Sequence, residues 1–164
     1  MEYDRLLRNA EGLPAIFEVV KRVVREDRGL FRAGLMLGLA DLGNHPRGFV
    51  GAFHAIGSNV IVMNKVPLLR IQETDEALYK PYAFNVLLHE YLHTLGYTDE
   101  GAVRQTVLEV SREAFGEDHL VTRIARDYSN FFPNLVYPGV AWQPQELSLE
   151  LVRDFDRSNA RYIG

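Results

Sequence analysis

His89, Glu90 and His93 are the residues of this chain whose types and spacing could do chemistry, and they form the pattern H-E-x-x-H. On a helix, residues i and i+4 lie one above the other on the same face. His89 and His93 could therefore offer two imidazole nitrogens to one metal ion, each at roughly 2 Å. Glu90 falls about 100° further round such a helix, beside the ion rather than on it. A general base that takes a proton from water belongs there. Around the motif stand Ala83, Phe84, Val86, Leu87, Leu88, Leu92 and Leu95, an apolar setting. A polar group buried without a partner costs a few kcal/mol, and metal ligation would satisfy all three. The plainer alternative is a solvated face carrying two histidines and a surface acid.

The elements that must position the motif can be read from periodicity and turn chemistry. The metal helix is expected from Pro81 or Tyr82 to Leu95, with Gly96 ending it. Before it, residues 13–27 read as an amphipathic helix, with Leu13, Ile16, Phe17, Val20, Val23 and Val24 at helical spacing and Gly29 as the stop. Residues 30–42 are apolar, and periodicity does not decide between strand and helix. Residues 49–54 and 60–63 read as two strands joined through Gly57-Ser58-Asn59, a hairpin. His54 ends the first of them and could line a cleft, although a strand histidine is commonly structural. His45 sits in a turn before Pro46. Leu68, Leu69 and Ile71 suggest a short turn, and Thr74-Asp75-Glu76 a helix start. Thr98 or Asp99 could cap a helix with a stripe of Ala102, Val103, Thr106, Val107, Val110 and Ala114 that stops at Gly116. A further helix starts at Asp118-His119, and a last one is expected over 145–157.

The chain has 164 residues, enough for one domain with its own core, and no boundary divides 1–164. Its formal charge of -4, with acids and bases interspersed, argues on electrostatic grounds against a nucleic-acid partner. It contains no cysteine, so disulfides, thiol chemistry and Cys-ligated zinc are excluded. The opening residues Met1-Glu2-Tyr3-Asp4-Arg5 carry charges and no signal-peptide core, and no run is apolar enough to cross a membrane. A cytoplasmic protein without a membrane partner is the expectation.

The run His89-Glu90-Tyr91-Leu92-His93-Thr94-Leu95-Gly96-Tyr97-Thr98-Asp99 resembles the metzincin zinc metallopeptidase pattern H-E-x-x-H-x-x-G-x-x-H/D. The resemblance implies a zincin-like α+β domain: a small mixed or antiparallel sheet with a β-hairpin edge, packed against the H-E-x-x-H helix and further helices. It also implies that Asp99 is the third zinc ligand. A tight turn at glycine could indeed fold residue 99 back toward His93, while an aspartate there could equally be a helix cap. The methionine turn of metzincins has no counterpart, because Met1, Met36 and Met63 all precede the motif. The same stretch is similar to the signature of YbeY-type metal-dependent endoribonucleases through Leu92-His93 and Leu95-Gly96-Tyr97. That signature has glycine where this chain has Glu90, and Glu90 favours peptidase chemistry. His119, the only histidine downstream of the motif, is the alternative third ligand. Glu113, twenty residues after His93 and so placed like the glutamate ligand of thermolysin-like gluzincins, ranks behind it. Glu100 is possible on the same ground as Glu113.

The function expected is zinc-dependent hydrolysis of peptide bonds. Zn2+ is held by His89, His93 and a third ligand, Glu90 is the general base, and the substrate is a peptide or protein. Tyr91, Tyr97, Tyr128, Tyr137 and His54 are all conceivable oxyanion donors, and nothing ranks them. The alternatives are a YbeY-like endoribonuclease and a non-catalytic zinc-binding structural module.

Overall fold

The computed structural model describes residues 2–42, 44–45, 48–55, 57–133, 135–136, 149–153 and 155–156. Among them the chain is α+β, with seven α-helices, a four-stranded mixed sheet and a small three-stranded one. In order come α1 (Glu2–Asn9), α2 (Gly12–Arg28), β1 (Met36–Ala40), β2 (Asn44–His45), β3 (Gly48–Val50), β4 (Ala52–His54) and β5 (Val60–Asn64). Then follow α3 (Lys65–Thr74), a short 3-10 turn (Glu76–Leu78), α4 (Tyr79–Thr94), α5 (Glu100–Phe115), α6 (Leu120–Arg126), α7 (Tyr128–Phe131), β6 (Leu135–Val136) and β7 (Glu150–Leu151).

The larger sheet runs β4-β5-β1-β7, with β5 parallel to β1 and both outer strands antiparallel to their neighbours. Successive residues of a strand point to opposite faces, and the core divides accordingly. Leu37, Ala52, Ile61 and Met63 join the helices in the main core. Ala40, Phe53 and Val62 pack on the other face with Leu42 and Val50. Helix α4 lies at the centre of the helical layer. Tyr82, Ala83, Phe84, Val86, Leu87, Leu88, Tyr91 and Leu92 are all fully buried, which covers every side of the helix and explains its weak amphipathicity. Phe17 of α2 meets Tyr91 edge-on with ring centroids 5.3 Å apart.

The expected hairpin is present as β4 and β5, but residues 49–54 are not one strand. The chain changes sheet at Gly51, where a Cβ would come within 3.0 Å of the Tyr82 hydroxyl oxygen. The undecided stretch 30–42 yields β1, paired in register from Met36↔Val60 to Ala40↔Asn64. Where a short turn was expected, α3 runs ten residues, because buried Asn64 accepts from the Val66 N–H at 3.1 Å and donates to the Val50 carbonyl at 2.8 Å. Helix α1 was not foreseen in the charged opening residues.

The last helix expected over 145–157 is corrected by the structure: Glu150–Leu151 is a strand, β7, antiparallel to β1. Residues 145–148 lie outside the described residues. Phe155 stacks on Phe17 at 4.1 Å. Asp156 accepts from Lys21 Nζ at 2.6 Å and from the Leu35 N–H at 3.2 Å, while Glu18 meets the same ammonium at 2.6 Å. Lys21 and Asp156 are both buried. Removing one partner of a buried pair strands the other charge, so Lys21→Met should destabilise the protein by about 3–5 kcal/mol. Urea unfolding measures this, and a loss below about 1 kcal/mol would show that the pair does not hold the C-terminal segment on α2.

Candidate metal centre

The centre is built from the last turn of α4 and the first turn of α5. His89 and Glu90 are 2% and 3% exposed, so neither histidine pairing nor Glu90 is a solvated surface feature. Gly96 takes φ 105, a left-handed conformation that glycine reaches without a Cβ clash. The Gly96 N–H donates to the His93 carbonyl and the Tyr97 N–H to the Leu92 carbonyl, both at 3.1 Å, the paired bonds of a Schellman ending. This turn brings the Tyr97 carbonyl to 2.7 Å from His93 Nδ1. A carbonyl only accepts, so Nδ1 carries the proton and Nε2 is the atom aimed into the site.

Helix α5 then returns beside α4. Asp99, expected as the third ligand, is instead its N-cap, accepting from the Ala102 N–H at 2.8 Å. The next residue reaches the histidines. Glu100 Oε2 lies 2.9 Å from His89 Nε2 and Oε1 lies 2.8 Å from His93 Nε2. The reason is geometric: side chains on a helix lean toward its N-terminus, and here that direction leads back to α4. The cap aspartate is held by its own helix while the first helical residue faces the imidazoles.

The other candidates are elsewhere. His119 caps α6, accepts from the Val121 N–H at 3.1 Å and pairs through Nε2 with Asp4 of α1 at 2.7 Å. Its ring packs on Phe115 with centroids 4.7 Å apart. Glu113 hydrogen-bonds to Asp27 of α2, and sharing a proton with that acid raises its pKa. His54 donates from Nε2 to the Ser58 carbonyl at 2.7 Å and so closes the β4–β5 turn. The Tyr91 hydroxyl accepts from the Arg32 N–H at 2.9 Å, and Tyr82 is buried deep in the core beside Tyr128. Tyr137 and the side chain of His45 lie outside the described residues.

His89, Glu90 and His93 each offer one potential ligand atom, and these atoms lie within 4.8 Å of one another. Two carboxylates thus approach the histidine pair. Direct contact of both Glu100 oxygens with both Nε2 atoms makes Glu100 the stronger candidate ligand, and leaves Glu90 beside it. Burial works against ionised Glu100, but hydrogen bonds from His89 and His93 outweigh it and hold its pKa at about 2. Burial also pulls His93 down, yet the bond to Glu100, the charge of Glu90 and the Tyr97 carbonyl leave it raised. That agrees with the geometry, since both ring nitrogens of His93 face acceptors. Burial keeps His89 below its ordinary value despite Glu100. Glu90 is pushed up to about 8 by burial, with His93 pulling down and Glu100 pushing up. The pair of imidazoles converging on one carboxylate is a donor set of nitrogen and oxygen atoms that fits a divalent ion such as zinc.

The chain matches no protein family, no curated protein and no solved structure. Among the described residues no helix is long and apolar enough to cross a membrane.

Proposed function

We propose that this protein is a zinc-dependent metallopeptidase with a zincin-like domain, in which His89, His93 and Glu100 hold the ion and Glu90 is the general base. The observation that carries the reading is the bridging of both Nε2 atoms by Glu100, at 2.9 and 2.8 Å, next to a buried Glu90. Bound zinc would lower the pKa of water toward 7 and polarise a carbonyl. Glu90 takes the proton of the attacking water and delivers it to the leaving amine. The Tyr97 carbonyl holds the His93 ring in place through Nδ1. The zincin-like description is supported by the mixed sheet whose antiparallel edge strand, β4, packs on the motif helix. Among the described residues β4 pairs only with β5, and an extended peptide could add to its other edge.

Metal loading and peptide cleavage test the proposal together. The purified protein should carry one zinc by elemental analysis, and should cleave a pool of internally quenched peptides with sensitivity to chelators. His93→Ala should lose both zinc and cleavage, and retained zinc in that variant would refute ligation. The nearness of Glu90 to both imidazoles favours one other reading, a closed four-ligand structural site. Zinc bound tightly with no cleavage of peptides or structured RNA would support it, and cleavage of RNA alone would point to a nuclease.

Zinc loading should also release protons. His93, with acceptors at both ring nitrogens, must give up its Nε2 proton to ligate, whereas neutral His89 shifts its Nε2 proton to Nδ1, so loading releases on the order of one proton per ion. Affinity therefore falls as pH falls. Calorimetry in buffers of different ionisation enthalpy counts these protons, and a binding heat independent of buffer would contradict the arrangement.

A further inference from the structure

Arg32 is fastened to the motif helix at two points. Its backbone N–H donates to the Tyr91 hydroxyl at 2.9 Å, and its guanidinium Nη1 donates to the Thr94 carbonyl at 2.8 Å. Tyr91 and Thr94 directly follow Glu90 and His93. The guanidinium is thus held at the C-terminal end of α4, half-buried, with further N–H donors beyond the one that is used. Arg8, Arg22, Arg28, Arg112 and Arg126 each meet a carboxylate. Among the described residues Arg32 meets none, although its guanidinium bonds the carbonyl of the residue next to His93.

A second cation near the centre shares this feature. Arg104 stands four residues after Glu100 on α5, a spacing that normally yields an ion pair, but Glu100 is turned to the histidines. Arg104 has no carboxylate partner among the described residues, and its charge is felt at His89. His54 is pushed down by burial, pulled up by the Ser58 carbonyl, and pushed down again by Arg32 and His93. These groups therefore share one region. The cations that face them from the packed elements are Arg32 and Arg104, and the acids are Glu90 and Glu100, both committed to the centre.

We propose that Arg32 reads the substrate: its anchored guanidinium takes a carboxylate of the peptide, so that acidic peptides are preferred to neutral ones. The inference rests on the hydrolase reading above. A planar guanidinium fits a carboxylate with two parallel hydrogen bonds, and pinning it to α4 removes most of the ordering cost. The chain as a whole carries -4, so long-range attraction does not favour an acidic peptide, and the preference must come from this fixed cation. Arg104, exposed and unanchored, adds only a screened contribution. The carboxylate could be a chain terminus or an acidic side chain, and the probes below separate the two.

The experiment uses the zinc-loaded full chain and three succinyl-hydroxamate probes, coupled to glycine, to glycine amide or to glutamate amide. The hydroxamate reports on the metal, and the three tails offer a terminal carboxylate, no carboxylate or a side-chain carboxylate. Calorimetry should show one or both acidic probes binding roughly ten- to a hundred-fold tighter than glycine amide, and the tighter one identifies the source. Arg32→Gln should remove that difference and leave glycine amide unchanged, while Arg32→Lys should restore part of it. Equal binding of all three to zinc-loaded protein would overturn this inference alone, whereas no binding of any hydroxamate to the loaded protein would show a closed metal shell and sink the hydrolase reading with it. Equal weakening of all three by Arg32→Gln would also overturn it, by making Arg32 only a cap of α4. Failure of the protein to bind zinc at all would sink the hydrolase reading and this inference with it.

Discussion

Glu90→Gln is expected to keep zinc bound and to lower peptide hydrolysis by roughly a hundred- to ten-thousand-fold. Glutamine matches glutamate in size, so the fully packed turn around residue 90 is preserved, with Leu87, Leu88 and Tyr91 unchanged in their buried places. What disappears is the ability to accept a proton. Burial pushes Glu90 up to about 8 in the metal-free protein, against the pull of His93 and with the push of Glu100, and the charge of a bound zinc would bring it down from there. Zinc content and the rate on a quenched peptide, measured on the same preparation, decide the outcome. Full activity would remove Glu90 from the mechanism. Loss of zinc in Glu90→Gln would instead make residue 90 a ligand and favour a closed structural site.

The second large effect separates Glu100 from Asp99. Glu100→Gln should weaken zinc binding by more than about a hundred-fold, because both carboxylate oxygens now reach the histidine pair. Asp99→Asn should change zinc affinity little, because asparagine caps a helix as well as aspartate does and the Asp99 side chain is spent on the Ala102 N–H. Competition against a chelating dye measures both variants. The reverse pattern, zinc lost with Asp99→Asn and kept with Glu100→Gln, would restore Asp99 as the ligand and require the start of α5 to rearrange.

Much of the local structure was legible from residue types. The helix over 13–27 follows from the spacing of Leu13, Ile16, Phe17, Val20, Val23 and Val24, and all six are buried in α2. The stop at Gly96, the cap at Asp99 and the helix beginning at His119 follow from backbone preferences that act within a few residues. Other features escaped because their cause lies far along the chain. Asn64 starts α3 while bonding across to Val50. Gly51 breaks a strand against the Tyr82 hydroxyl. The segment around Leu151 is a strand because β1 offers it a free edge, although its own apolar spacing suited a helix.

The same division runs through the candidate centre. The pair His89 and His93 and the neighbour Glu90 could be read from residue types alone, because the i, i+4 geometry of one helix places them whatever else the chain does. So could the turn at Gly96, since a left-handed residue is needed where the helix ends. Which acid meets the histidines depends instead on how α4 and α5 pack. Asp99 and Glu100 are adjacent, and both are carboxylates. The angle at which α5 leaves the turn sends one to its own backbone and the other to both imidazoles. That angle is set by packing of Val103, Val107 and Val110 into the shared core, a sum of contacts across several elements that no short stretch of sequence contains.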